Sequence, residues 1–218
     1  MQTAVIAACS LGISACSSSS SNGSPPDSAV ASDTGSPDTG GTVIPPPGPD
    51  VNGDGVVQCQ VERRMPTYEG AGHVMLCAPV SYNSKPPASG SHYGTWPVFR
   101  AYDNPVPWGF LVHAMEHGAV VIAYNCPEGC PPEVQAAKEV MAAAPVKPNC
   151  PRAPVILTPD PTLDVRFAAA SWGHVLRASC FDRQAFGDFI AERRDMGPEM
   201  IPGDCGASDR EAMGWCPP

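Results

Sequence analysis

Apolar and polar positions alternate in recognisable periods only after about residue 56. Ala119-Val-Val-Ile-Ala-Tyr124 is a continuous apolar run with β-branched residues, the pattern of a buried strand. Pro131–Ala144 opens on proline and repeats Val134, Ala137, Val140 and Met141 at helical spacing, which predicts a helix. Asp182 is placed to cap a second helix reaching about Asp195, with Ala185, Phe186, Phe189 and Ile190 as its buried stripe and Gly197-Pro198 ending it. Val74–Val80, Pro154–Thr158 and Arg166–Ser179 read as strands, and Tyr82–Tyr102, rich in Pro, Gly and Ser, as a long ordered loop. Trp108–His117 is apolar without a decisive period. The order strand, helix, strand, strand, helix predicts an α+β domain: a small mixed β-sheet packed with two or three helices.

The N-terminal quarter follows no such period. Residues 1–16 form a short apolar stretch, too short to span a bilayer and suited to a signal peptide. Ile13-Ser14-Ala15-Cys16 resembles the lipobox of bacterial lipoproteins, which makes Cys16 a candidate lipidation site and the membrane a partner through that anchor. The n-region lacks Lys and Arg, so an ordinary cleaved signal is the alternative. Residues 17–55 are a Ser, Gly, Pro and Asp linker with too little apolar surface to offset the entropy of ordering. The domain is expected over 56–218. Within the linker, Asp50-Val51-Asn52-Gly53-Asp54-Gly55 matches the opening of an EF-hand-type calcium loop, but Val61 occupies the twelfth position and the acid comes one place late, at Glu62.

Charge adds an exclusion. The net charge is -9, and residues 1–55 hold five of the acids and no Lys or Arg, which leaves the domain at -4. A chain with 13 Lys and Arg and an acidic balance lacks the basic face of a nucleic-acid binder. Ten cysteines in 218 residues point to an oxidising compartment: the cell envelope or beyond it.

Two of the five histidines lie four apart in His113-Ala-Met-Glu116-His117-Gly118. In a helix His113, Glu116 and His117 share one face, a donor set for zinc or non-haem iron. In a strand His113, Met115 and His117 share it, a softer set suited to copper. The polar Glu116 and the following Gly118 favour the helix. The segment also fits the H-x-x-E-H pattern of inverted zinc peptidases, with Glu116 as base, although only about nine residues separate Pro107 from Gly118. A buried hydrogen-bonded network without metal is the competing reading.

Three blocks carry a wider resemblance: Tyr82-Asn-Ser-Lys-Pro-Pro-Ala-Ser-Gly-Ser-His92, His113-Ala-Met-Glu-His-Gly-Ala-Val, and Ser171-Trp-Gly173. In this order they resemble the family catalogued as domain of unknown function 3105, over about residues 70–200. The resemblance implies an envelope or secreted setting and no established activity. Carried over by position, it marks His73, His92, His113, Glu116 and His117. The expected ligands are His92, His113 and His117, with His73 or Glu116 as the fourth, and zinc or copper as the ion. His174, alone on an expected strand, is a weaker candidate.

With Cys9 lost and Cys16 lipidated, eight cysteines remain, an even count that predicts structural disulfides; Cys205 and Cys216 are expected to staple the tail. Cys126-Pro-Glu-Gly-Cys130-Pro lies between a strand and a helix and is similar to the motif of Sco-type copper chaperones. A thiol redox or copper-delivery role for Cys126 and Cys130 stands against membership in separate structural disulfides. The functions in play are therefore a metal-binding envelope domain, a thiol or copper-delivery protein, a metal-dependent hydrolase and a purely structural envelope protein. An enzyme is the less favoured class.

Overall fold

The computed structural model describes residues 58–199, 205–206 and 215–216, all within one compact unit. The stretch expected to be a signal and lipobox with Cys16, the whole of the linker and the calcium-like stretch Asp50–Asp54 lie outside the described residues.

The architecture is α+β, as the apolar periods predict. A five-stranded mixed sheet is built from β1 (Val61–Arg64), β4 (Val120–Tyr124), β5 (Val155–Pro159), β6 (Phe167–Ser171) and β7 (His174–Ala178) in the order β1-β7-β6-β4-β5. Only β4 and β5 run parallel; the other neighbours are antiparallel. A separate two-stranded parallel sheet pairs β2 (Ala71–Val74) with β3 (Gly90–Tyr93). The helices are α1 (Trp108–Glu116), α2 (Pro131–Ala143) and α3 (Arg183–Arg193). None is long and apolar enough to cross a membrane.

Strand alternation divides the core. Val120 and Ile122 of β4 point with Leu157, Phe167, Ala169 and Leu176 to one face, where Phe186, Phe189 and Ile190 of α3 and Ala137 of α2 close over them. Val121 points to the other face with Ile156, Ala170 and Val175, beneath Phe110, Leu111 and Met115 of α1 and Tyr93 of β3. A side chain of this size contributes roughly 1.5–3 kcal/mol when fully buried, so each face is substantial. Asp182 caps α3 as expected, its Oδ1 accepting from the Ala185 N–H at 2.9 Å. The proline-rich loop lines the outer edge of β5: Tyr102 N–H donates to Leu157 O and Leu157 N–H to Arg100 O. That contact covers an otherwise open strand edge.

One expectation fails locally, and one strand was not expected. The strand expected over Val74–Val80 ends at Val74; Met75 and Leu76 are exposed, and Cys77 takes φ 64 to reach its disulfide partner. Apolarity there does not mean burial. Conversely β1, a charged edge strand whose side chains alternate between exposed and half-buried, carries too weak an apolar period to be seen.

All eight cysteines among the described residues are paired, as Cys59–Cys180, Cys77–Cys216, Cys126–Cys130 and Cys150–Cys205. The tail is stapled by tying Cys205 and Cys216 separately to the domain rather than to each other. Cys126 and Cys130 bond to one another, which corrects the expectation of two separate bridges. Their residues are 4 apart in sequence, against 55 to 139 for the others. A closed loop that short removes the least unfolded-state entropy.

Candidate metal centre

Trp108–Glu116 resolves its ambiguity as a helix, and Gly118 at φ 85 terminates it, with its N–H bonded to Met115 O at 2.9 Å. His113 and Glu116, three residues apart, therefore share a face. Met115 turns into the core and is fully buried, so the His-Met-His set of an extended segment does not form.

The other half comes from β2 and β3, whose parallel register sets His73 directly opposite His92. Gly109 brings this pair to the helix. A Cβ there would come within 2.4 Å of the Tyr93 ring, so glycine lets β3 rest on α1 at this depth. Donor atoms of His73, His92, His113 and Glu116 consequently lie within 4.8 Å of one another. Ligands sharing one ion at about 2.0–2.1 Å stand roughly 3–4 Å apart, so this set needs only a small contraction to hold one.

Backbone carbonyls set the tautomers. His92 Nδ1 lies 2.9 Å from Gly90 O and His113 Nδ1 is bonded to Tyr93 O. A ring that donates through Nδ1 turns the lone pair of Nε2 outward, the arrangement that metal-ligating histidines adopt. Burial pushes the His113 imidazole down to about 4, against the backbone bond to Tyr93, which acts the other way, so the ring is neutral at pH 7.

His92 Nε2 faces Glu116 Oε2 at 2.8 Å, both buried and neither with another hydrogen bond. Two lone pairs at that distance repel unless a proton or a metal ion lies between them. Glu116 is also in the last turn of α1, where the helix carbonyls leave negative partial charge, so a buried carboxylate there calls for a cation. His73 Nε2 lies 3.9 Å from the same oxygen and its side chain is 55% exposed, which makes it the solvent-facing member.

His117 falls outside this set of four. Its Nε2 lies 2.9 Å from His113 Nε2, and its ring stacks on Trp96 at 4.2 Å. It groups instead with Glu116 and Glu199. His174 bonds Arg193 Nη1 at 3.1 Å and belongs to neither set. Cys126 and Cys130 follow the far end of β4 from His117 and group only with Glu133, so no histidine joins them as a copper chaperone would require. Sequence reasoning missed the wall Trp96 and also Glu199, and singled out Trp172 only as part of the Trp-Gly block. Trp172 meets His92 edge-on at 6.2 Å, and Gly173, at φ 76, donates its N–H to Ala88 O at 2.7 Å. The Trp-Gly block thereby clasps the segment that leads into β3 and His92.

A disulfide-braced α+β domain with a buried cluster of imidazoles and one carboxylate is the class that the fold and site define. The chain belongs to the family described as Protein of unknown function (DUF3105), which matches residues 73–204 and so includes every member of the cluster. No curated protein and no solved structure matches it.

Proposed function

We propose that the protein is an envelope domain, lipid-anchored through Cys16 or secreted, that binds a transition metal ion through His73, His92, His113 and Glu116. The observation that carries this reading is the buried 2.8 Å approach of His92 Nε2 to Glu116 Oε2, with the Nδ1 of His92 already committed to Gly90 O. Three imidazoles and a carboxylate suit zinc or divalent copper. The exposed His73 leaves a route by which the ion enters or is passed on. Glu116 is only 3% exposed and is engaged by two histidines, the position of a ligand rather than of a free general base, so binding is favoured over hydrolysis. Four paired disulfides among the described cysteines agree with an oxidising compartment.

The full chain, purified without a His-tag, is expected to hold metal by elemental analysis and to gain melting temperature with zinc or copper. His92→Ala should lose both properties. A wild-type chain with no metal and no such gain would overturn the reading in favour of a metal-free network.

A further inference from the structure

We infer that the centre takes a second divalent ion, bridged to the first through Glu116 and held by His117 and Glu199. This rests on the reading of the first ion. Glu116 belongs to both donor sets, and in the second the donor atoms of Glu116, His117 and Glu199 again lie within 4.8 Å of one another. Glu116 and His117 are 3% and 2% exposed, and the Oε2 of Glu116 makes no hydrogen bond beyond its approach to the imidazoles.

Glu199 is far from α1 in sequence and is carried there by a strap. Asp195 N–H donates to Gly118 O at 2.8 Å, and Glu199 N–H donates to Glu116 O at 3.0 Å. Between them Gly197 lies so close to the end of α1 that a Cβ would overlap the Glu116 carbonyl. Two backbone bonds and an obligatory glycine thus press a second carboxylate onto the negative end of a helix that already buries one. Placing two carboxylates at that helix end is unfavourable unless cations offset them. A carboxylate shared by two ions, with imidazole on either side, is the composition of two-metal centres, whose ions stand about 3.5–4 Å apart. The second set is richer in oxygen and Glu199 is exposed, so its ion is the harder, more accessible one, open to an oxygen ligand such as water or an anionic group.

The test is a titration of the full chain, disulfides intact and without a His-tag, with Zn²⁺ alone, read by calorimetry and elemental analysis. Wild type should take two equivalents. Glu199→Gln should take one, with the remaining Kd changed less than threefold. With Cu²⁺, paramagnetic resonance intensity per copper should fall as the second equivalent enters wild type, because bridged ions couple, and stay proportional in Glu199→Gln. One equivalent in wild type, lost in His92→Ala and untouched in Glu199→Gln, would overturn the second ion alone. Two equivalents in both wild type and Glu199→Gln would overturn the assignment to Glu199, and no uptake by wild type would overturn both ions.

Discussion

The two faces of the central sheet are built alike and finished differently. Beneath α2 and α3 the buried cluster is apolar from Val120 to Ile190, and its ion pairs, such as Arg166 with Glu133 and Arg183 with Glu139, sit at the rim. Beneath α1 an apolar layer of similar extent continues into His92, His113, Glu116 and His117, each no more than 3% exposed. Burying such groups costs stability that an apolar repacking would not. The first face is what the fold requires; the second carries polar groups that folding alone does not ask for. That contrast is the physical basis for placing function on the α1 face.

The sharpest way to break the comparison is to truncate each face. Phe186→Ala, beneath α3, should lose about 3–5 kcal/mol in denaturant unfolding and leave metal affinity unchanged. A parallel loss of affinity would show the faces to be coupled.

Acidification from about 6.5 toward 4 should act on the α1 face through His113. The His113 imidazole titrates at about 4 in the fold and near 6.5 when unfolded, so between those values the unfolded chain binds the proton first. Stability present above about 6.5 is therefore lost as pH falls toward 4, by at most on the order of 3 kcal/mol. Melting temperature measured across this window should fall in the metal-free chain, and His113→Gln should flatten the slope.

Gly109→Ala should cost about 1–3 kcal/mol, since the added methyl must displace the Tyr93 ring. Because that displacement carries β3 away from α1, metal affinity should fall with it. Retained affinity in a destabilised Gly109→Ala would show that the cluster does not depend on this contact.

The smallest effect in stability is the most informative about the site. Glu116→Gln removes the charge at the helix end and supplies an amide N–H to His92, so the metal-free chain should change by less than about 1 kcal/mol. Its metal affinity should drop at least tenfold. A large stability loss would favour a hydrogen-bonded network over a metal site.

Much of this was readable beforehand, for reasons specific to each element. α2 and α3 declare themselves because their capping residues and apolar spacing are local. β4 does so because it is buried on both faces and its run is unbroken. β1 stays hidden because an edge strand with Glu62, Arg63 and Arg64 has no apolar signature. The apolar Met75 and Leu76 mislead because they are exposed. At the site, helical spacing set His113, Glu116 and His117 on one face; the donor atoms of His113 and Glu116 group with His73 and His92, and those of His117 with Glu116 and Glu199. His117 still projects beside His113, their Nε2 atoms 2.9 Å apart and their rings stacked, but its donor atoms meet Glu199, which a distant segment brings to the helix end.

The amino-acid sequence by itself determined the α+β class, the positions of α2 and α3 to within about two residues, the histidine-rich blocks and the even complement of cysteines in the domain, because each rests on composition or on contacts within a few residues. Tertiary structure alone decided which histidines meet, how the cysteines pair and that Glu199 reaches Glu116. The His73–His92 register, the four disulfides and the strap across α1 join parts of the chain through packing and backbone bonds, and spacing along the sequence holds no record of those.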